Sequence, residues 1–311
     1  MMQMLTLGID IGGTNTAFGV VNEEGVILEQ GEMPTKGYAQ PEDYVTALYQ
    51  SVQLTISQDY LSQVKGIGVG APSANYYQGT IEHAPNMEWR GIIPIGRLIE
   101  EQFKLPVKVT NDANAAAMGE MMYGAARGMK DFIMVTLGTG VGSGFIANGN
   151  LIYGHDGFAG ELGHVNAVRN GRACGCGRKG CLEAYTSATG VVKTAIEMLA
   201  SDTQSLLHQH QSLDSKLIFD AALAGDTLAK DVFEYTGQIL GQTLADAVAI
   251  TSPEAIILFG GLAKAGELIF EPTRRAMEEN LLNLYQGKIK LLASELKESD
   301  AAITGAAALI G

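Results

Sequence analysis

The chain has 311 residues, 46% of them hydrophobic and 18% charged, and its formal net charge at pH 7 is -13. This composition excludes an intrinsically disordered protein, and the length suits two domains or one domain with two lobes. The acidic balance argues against a nucleic-acid partner and against binding to anionic membranes. The sequence contains no run of about 18 apolar residues, which is the length that predicts a transmembrane helix.

The N-terminal segment has no basic region of the kind that begins a secretory signal. Three cysteines cannot all pair with one another in disulfides, and with no export signal reduced thiols are the default. We therefore expect a cytoplasmic protein.

Short strands that run into glycine turns begin the chain and recur in its middle. The segment LTLGID predicts a strand before the turn IGGTN, and TAFGVV and VILEQG predict a hairpin around NEEG. FIMVTL runs into the turn LGTG in the same way, and GSGFIANGNLIYG predicts two strands joined at Asn148-Gly149. The same order occurs twice, roughly 130 residues apart, which indicates an internal duplication.

The remaining segments predict both helices and strands. A helical face repeats over residues 41–57, and VKGIGVGAP and VKVTND predict strands before the helical ANAAAMGEMM. Beyond the cysteine-rich segment the pattern is mostly helical, with one late strand at AIILFGG. The prediction is an α/β fold of two duplicated lobes.

Three glycine turns follow apolar strands. Their residues are Asp10, Gly12, Gly13, Thr14 and Asn15 in the first turn, Gly138, Thr139 and Gly140 in the second, and Gly260 and Gly261 in the third. Glycine lets the backbone approach a ligand closely, and adjacent N–H groups in such turns hold phosphate oxygens. No turn contains a dinucleotide fingerprint or a Walker A loop. Ordinary tight turns are the alternative to a phosphate-binding cleft.

Two aspartates lie at the carboxyl ends of predicted strands, a position where α/β proteins often bind ligands. Asp10 is suited to hold Mg²⁺ against a nucleotide's phosphates, or it bonds its own turn. Asn111 and Asp112 separate a strand from a helix, where helix capping is the alternative to a catalytic role. A carboxylate at a helix N-terminus is stabilised as an anion, so capping and catalysis are compatible.

All three cysteines lie in one glycine-rich segment, HVNAVRNGRACGCGRKGCLEAY. His164, Cys174, Cys176 and Cys181 form a Cys₃His set, a common ligand combination for structural Zn²⁺. The basic residues of the segment, Arg172, Arg178 and Lys179, are expected to offset the thiolates' charge. Three buried thiols beside a surface histidine are the alternative, and a redox role is disfavoured because no C-x-x-C is present.

Several of these motifs resemble those of known proteins. GIDIGGTN resembles the first phosphate-binding motif of the sugar kinase, actin and Hsp70 superfamily. GTGVG, ELGH and CGCGRKGCLE are together similar to the ROK family of sugar kinases and sugar-responsive repressors, and the likeness is greatest to bacterial glucokinases. The resemblance implies two ribonuclease-H-like lobes of the actin and hexokinase type, with ATP and Mg²⁺ in the cleft between them.

The resemblance also implies roles for particular residues. Asp112 would be the general base that takes the proton from the attacking sugar hydroxyl. The sugar-binding residues would be Gly70, Asn86, Asn111, Asp112, Glu161, His164 and Glu183. One ring nitrogen of the histidine would hold zinc while the other faces the sugar. Residues 1–112 would form the small lobe and 113–299 the large lobe, with a zinc loop at 164–181 and a final helix, about 300–311, returning to the small lobe.

The activity implied is ATP-dependent phosphorylation of glucose at the 6-hydroxyl. Fructose, mannose, allose and N-acetylmannosamine remain alternative substrates, and a sugar-sensing regulator is a further alternative. The first strand begins near residue 5, which leaves no room for a helix-turn-helix region, and the acidic balance agrees. The family's assemblies lead us to expect a homodimer or homotetramer.

Overall fold

A computed structural model describes residues 4–84 and 87–310, apart from the side chains of residues 298 and 299. Within these ranges the chain forms thirteen strands and ten α-helices. The strands are β1 Leu5–Ile11, β2 Asn15–Val21, β3 Ile27–Pro34, β4 Val64–Gly70, β5 Ala74–Asn75, β6 Thr80–Glu82, β7 Ile92–Ile93, β8 Val107–Thr110, β9 Phe132–Leu137, β10 Val141–Ala147, β11 Asn150–Leu151, β12 Ala255–Phe259 and β13 Lys290–Ala293. The helices are α1 Pro41–Thr55, α2 Gln58–Leu61, α3 Ile95–Phe103, α4 Asp112–Tyr123, α5 Glu183–Thr186, α6 Ala188–Leu199, α7 Ser215–Leu223, α8 Thr227–Thr251, α9 Glu267–Asn280 and α10 Glu298–Ala307.

Two five-stranded sheets have the same topology. The first has the order β3-β2-β1-β4-β8 and the second β11-β10-β9-β12-β13. In the first sheet β1 pairs antiparallel with β2 and parallel with β4; in the second, β9 pairs antiparallel with β10 and parallel with β12. The duplication predicted from the repeated strand and turn patterns is therefore confirmed, and the chain has the predicted α/β fold.

The amphipathic pattern of α1 explains how this helix covers the first sheet. Proline stands in its first turn, where a missing N–H costs nothing, and acidic Glu42 and Asp43 follow near the positive end of the helix dipole. Its buried residues recur at helical spacing: Tyr44, Val45, Leu48 and Val52. They join the apolar side chains of β1 and β4 in one core.

The last helix, α10, packs on β1 and β4 of the first sheet. A Cβ added at Gly8 would lie 2.1 Å from Ile303 O, and one at Gly68 would lie 1.8 Å from Ala306 O. Only glycine permits an approach this close between helix and sheet backbones. Because α4 contacts both α10 and the second sheet, the lobe boundaries at 112/113 and 299/300 stay a prediction.

The segment between β4 and α3 is more ordered than its sequence indicates. It contains a small sheet of β5, β6 and β7, which the pattern of glycine and polar residues did not predict. Trp89 is buried there against Tyr44, with ring centroids 4.8 Å apart, and its indole Nε1 donates a hydrogen bond to Tyr38 O. No helix among the described residues has the length and apolarity that crossing a bilayer requires.

Candidate active site

A cavity of about 600 Å³ lies at the ends of the central strands of both sheets. It collects residues that are far apart in the sequence. Those that the sequence singled out are Asn111, Asp112, Gly138, Thr139, Gly140, Glu161, His164, Glu183, Gly260 and Gly261. The strand and turn patterns of both halves of the chain therefore meet at one place.

Asp112 reaches this cavity because a strand ends and a helix begins beside it. β8 ends at Thr110, and Asn111 caps α4 by accepting a hydrogen bond from Asn114 N to its side-chain Oδ1 at 2.7 Å. Asp112 is the first helical residue, and its Oδ1 accepts from Ala113 N at 2.9 Å. Capping and a catalytic position are thus combined in two adjacent residues, since the cap fixes the backbone that carries the carboxylate.

Protein atoms surround the Asp112 carboxyl, although its surface opens onto the cavity. Burial raises the pKa of Asp112, and hydrogen bonds from the Ala113 and Asp112 backbone N–H groups lower it by less. Burial also raises the pKa of Asp10 to about 6, and the negative charge of Asp112 contributes to that rise. Desolvation therefore outweighs the stabilisation that the N-terminus of α4 gives to the Asp112 anion.

Because the negative charge of Asp10 is buried, a substitution that removes this charge is expected to stabilise the protein. Asp10→Asn is expected to raise the melting temperature of the ligand-free protein, and by more at about pH 7.5 than at about pH 5. The pKa of Asp10 is about 6 in the folded state and 3.8 in the unfolded state. At a pH between these two values, Asp10 is protonated in the folded protein and ionised in the unfolded protein. The free energy of unfolding therefore falls as pH rises through this window.

Calorimetry in EDTA without nucleotide measures both melting temperatures. Asp231→Asn, which changes an exposed aspartate of α8, is the matched control. A melting temperature of Asp10→Asn at or below that of the wild type at about pH 7.5 would contradict the account.

The three glycine turns line connected cavities. Asp10, Gly12 and Gly13 border a cavity of about 370 Å³ that also has Asp112 in its wall. The second and third turns border the 600 Å³ cavity from the other sheet. The turns of the two sheets therefore lie on both sides of Asp112, as expected for a divided phosphate site.

Two further cavities contain residues that the sequence did not single out. A cavity of about 640 Å³ outside the first two turns is lined by Lys36 and Arg90 together with Gly13, Thr14, Met87, Glu88 and Thr139. A cavity of about 430 Å³ beside the third turn is lined by Gly261 together with Ser215, Lys216, Phe219, Phe233, Leu262, Lys264 and Ala265. Isolated basic residues and helical phenylalanines carry no sequence signal of a site, because both are common on ordinary helices and loops.

The segment that carries Glu161 is fixed by the second sheet. Ser143 of β10 bonds Gly160 O through its hydroxyl and accepts a hydrogen bond from Leu162 N at 3.1 Å. A short 3₁₀ helix, Leu162–His164, follows and brings His164 to the same cavity. Burial raises the pKa of Glu161, while the neighbouring His164 lowers it.

Glu183 connects the cysteine loop with the second glycine turn. Its Oε2 accepts a hydrogen bond from Val141 N at 3.0 Å, and a Cβ added at Gly140 would lie 2.6 Å from the same oxygen. Its Oε1 lies 3.6 Å from Cys174 Sγ. Gly140 is therefore required for close approach of this carboxylate, which is a reason independent of phosphate binding.

The predicted metal ligands converge. One ligand atom from each of His164, Cys174, Cys176 and Cys181 lies within 4.8 Å of the other three. Cys176 Sγ and Cys181 Sγ are 3.7 Å apart, and His164 Nδ1 is 3.8 Å from Cys174 Sγ. Tetrahedral zinc with Zn–S bonds of about 2.3 Å places two sulfurs about 3.8 Å apart. The donor set and its spacing thus fit Zn²⁺, with Nδ1 as the histidine's ligand atom.

The position of Arg172 differs from the sequence prediction. Its guanidinium pairs with Glu197, donates to Thr194 Oγ1 at 2.9 Å and lies 4.5 Å from the ring centroid of Tyr185. These contacts direct its charge to α6 rather than to the thiolates. The prediction for Arg172 was wrong because a basic residue in a loop also has partners that are distant in sequence.

Three predicted residues lie apart from the cavity or outside the described ranges. A Cβ added at Gly70 would lie 3.5 Å from Asp10 Oδ1, so this glycine is beside Asp10. Asn15 is the first residue of β2, and its carbonyl accepts from Gly12 N at 3.0 Å within the turn. Asn86 lies outside the described residues.

Comparison with known proteins decides the family. A family model described as the ROK family matches residues 6–311. The chain belongs to the ROK family. The ROK resemblance of the motifs at 138–142, 161–164 and 174–183 is thereby confirmed.

Individual proteins are similar to this chain over most of its length. A glucokinase from Halalkalibacterium halodurans is 38% identical over 280 residues, which are 88% of this chain and 84% of that protein. A glucokinase from Thermotoga maritima is 34% identical over 316 residues, covering 100% of this chain and 98% of that protein. A solved ROK family glucokinase from Streptomyces griseus, in complex with glucose and AMPPNP, matches with a TM-score of 0.80 at 37% identity and 98% coverage of each chain.

Proposed function

We propose that this ROK protein transfers the γ-phosphoryl group of ATP to the 6-hydroxyl of glucose, giving glucose 6-phosphate and ADP. The observation that carries the proposal is the position of Asp112. It borders the same cavity as the polar residues Glu161, His164 and Glu183 and as the second and third glycine turns. The related proteins from H. halodurans, T. maritima and S. griseus named above are glucokinases.

In this mechanism the Asp112 carboxylate accepts the proton of the 6-hydroxyl as its oxygen attacks the γ-phosphorus. The bond to the β,γ-bridging oxygen breaks, and ADP leaves with that oxygen. The raised pKa of Asp112 makes it a stronger base than an ordinary aspartate, closer to the pH at which a general base works best. Asn111, fixed as the cap of α4, would place its amide NH₂ for a neighbouring sugar hydroxyl.

The nucleotide would follow the glycine turns. Backbone amides of the first and second turns would hold the phosphates from opposite sides, and Lys36 and Arg90 would attract their negative charge. The cavity at Gly261, with the rings of Phe219 and Phe233 in its wall, suits the adenosine. Mg²⁺ neutralises phosphate charge when bound, and the Asp10 carboxyl fits such a cation because burial near Asp112 leaves its negative charge uncompensated.

The sugar would be held by side chains that the cysteine loop positions. His164 has Nδ1 on the zinc side, so its Nε2–H is left for a sugar hydroxyl, and metal ligation would fix that tautomer. Zinc would therefore be structural for the sugar site and take no part in phosphoryl transfer. The expected homodimer or homotetramer and the cytoplasmic location belong to the same proposal.

Release of ADP tests the activity directly. Purified protein with MgATP is expected to release ADP with glucose at a higher kcat/KM than with mannose, fructose, allose or N-acetylmannosamine. An assay coupled to glucose-6-phosphate dehydrogenase identifies the phosphorylated carbon, because that enzyme oxidises glucose only when the phosphate is on its 6-hydroxyl. If ADP release were faster with another hexose, that hexose and not glucose would be the substrate. If no sugar stimulated ADP release, the proposal of a sugar kinase would be wrong.

A further inference from the structure

We propose that Phe158 is a specificity-determining residue of the sugar site: its ring covers the bound hexose and excludes hexoses in which an acetamido group replaces a hydroxyl. The inference rests on the proposed function and extends it to a residue that neither the motifs nor the metal site identify.

Phe158 is an aromatic ring exposed to the cavity of the candidate site. Its side chain is 37% exposed, and it lines the same cavity as Asp112, Glu161 and His164. A single exposed apolar side chain is ordinary on a protein surface. Inside a cleft lined by carboxylates and backbone amides, however, a ring provides the apolar surface that small-molecule sites combine with a few polar groups.

The loop that carries Phe158 is anchored to the segment after β4. Asn75 Nδ2 donates to Asp156 O at 2.8 Å, and Tyr77 Oη donates to Gly154 O at 2.8 Å. Tyr76 and Tyr153 stack with ring centroids 3.9 Å apart and an interplanar angle of 9°. These contacts join residues about 80 positions apart, so the loop is held by β5 and by the turn that follows it.

The backbone at Gly157 places the ring. Its φ is 92°, a conformation that favours glycine, and a Cβ added there would lie 2.6 Å from Asn75 Oδ1. Ser73 and Ala74, in the segment that holds the loop, line the same cavity as Phe158. The backbone that carries the ring is therefore anchored beside the wall of the cavity.

A ring in the wall of the cavity has two effects on a bound sugar. It offers the C–H face of the hexose an apolar contact, while the carboxylates bond its hydroxyls. It also limits the volume of the cavity, because the ring occupies space that a larger substituent on the sugar would need. An acetamido group adds several heavy atoms to the hydroxyl that it replaces, and removing the phenyl ring frees more space than that.

The test compares Phe158→Ala with the wild type on a panel of glucose, N-acetylglucosamine and N-acetylmannosamine. Phe158→Ala is expected to raise the Kd for glucose, measured by calorimetry, about tenfold, since a group in an apolar pocket is worth about that much. The ratio of kcat/KM for the better acetamido sugar to that for glucose should rise about tenfold or more. The KM for ATP should remain within about twofold, because in this proposal the ring contacts the sugar and not the nucleotide.

Two further variants complete the test. Phe158→Leu, which keeps apolar volume, should give intermediate values, and Leu223→Ala, which removes a 66% exposed side chain of α7, should match the wild type. If both Phe158 variants kept the wild-type glucose Kd and sugar selectivity, the inference would be wrong. The proposed function would still stand in that case, provided that the wild type releases ADP with sugar. Absence of sugar-dependent ADP release in the wild type would instead overturn the proposed function.

Discussion

Asp112→Asn is expected to phosphorylate glucose at least about a hundredfold more slowly than the wild type, with a glucose Kd within a few-fold of it. The amide keeps the size of the side chain but removes the basic oxygen that takes the proton. Initial rates give kcat, and calorimetry gives the Kd. A loss confined to kcat separates a catalytic base from a residue that only binds sugar.

The pH profile provides a second readout of the same residue. Burial raises the pKa of Asp112 above 3.8. As the pH is lowered, wild-type kcat/KM should therefore begin to fall at a higher pH than it would if the base were an aspartate with the ordinary pKa. The loss occurs on the acid side, since protonation removes the base. Near-normal turnover of Asp112→Asn, with Asp231→Asn as the matched control on α8, would contradict the assignment.

Cys176→Ser is expected to lose bound zinc and to bind glucose at least about tenfold more weakly, while ATP affinity changes by less. Without the metal, His164 and the thiols would lose the ion that joins their side chains, and the contact between Cys174 Sγ and Glu183 Oε1 at 3.6 Å would be less firmly held. Metal analysis by mass spectrometry and calorimetry with glucose measure the two effects. The ATP contacts proposed at the first and third turns lie outside the cysteine loop.

Arg169→Ala is the control for the zinc experiment. Arg169 is an exposed residue of the same cysteine-rich segment, and no contact with the thiolates is expected of it. This variant should retain zinc and glucose affinity. Full glucose affinity in a zinc-free Cys176→Ser protein would show that the metal does not organise the sugar site.

Local patterns were enough to predict most of the fold. The alternation of apolar residues in β1, β2 and β3 and the turn between them recur in β9, β10 and β11, and pairing within each group is between neighbours in sequence. Such local signals do not depend on the rest of the chain. The Cys₃His cluster was predictable for the same reason, since three of its four residues lie within eight positions.

Contacts between distant segments could not be predicted. Phe158 carries no sequence signal of a site, and the loop that holds it is anchored by Asn75 of β5 and by Tyr77 of the turn that follows β5. Arg172 was assigned to the thiolates because they are near in sequence, whereas its partner Glu197 lies on α6. The raised pKa of Asp10 likewise depends on burial and on Asp112, about a hundred positions away.

A crystal structure with glucose and a non-hydrolysable ATP analogue tests the central claim most directly. The account predicts that the 6-hydroxyl oxygen of glucose lies within about 3.2 Å of an Asp112 carboxylate oxygen and points to the γ-phosphorus, with the phosphates on the turns at Gly12–Gly13 and Gly138–Gly140. Glucose bound elsewhere, or with another hydroxyl towards Asp112 and the γ-phosphate, would contradict it.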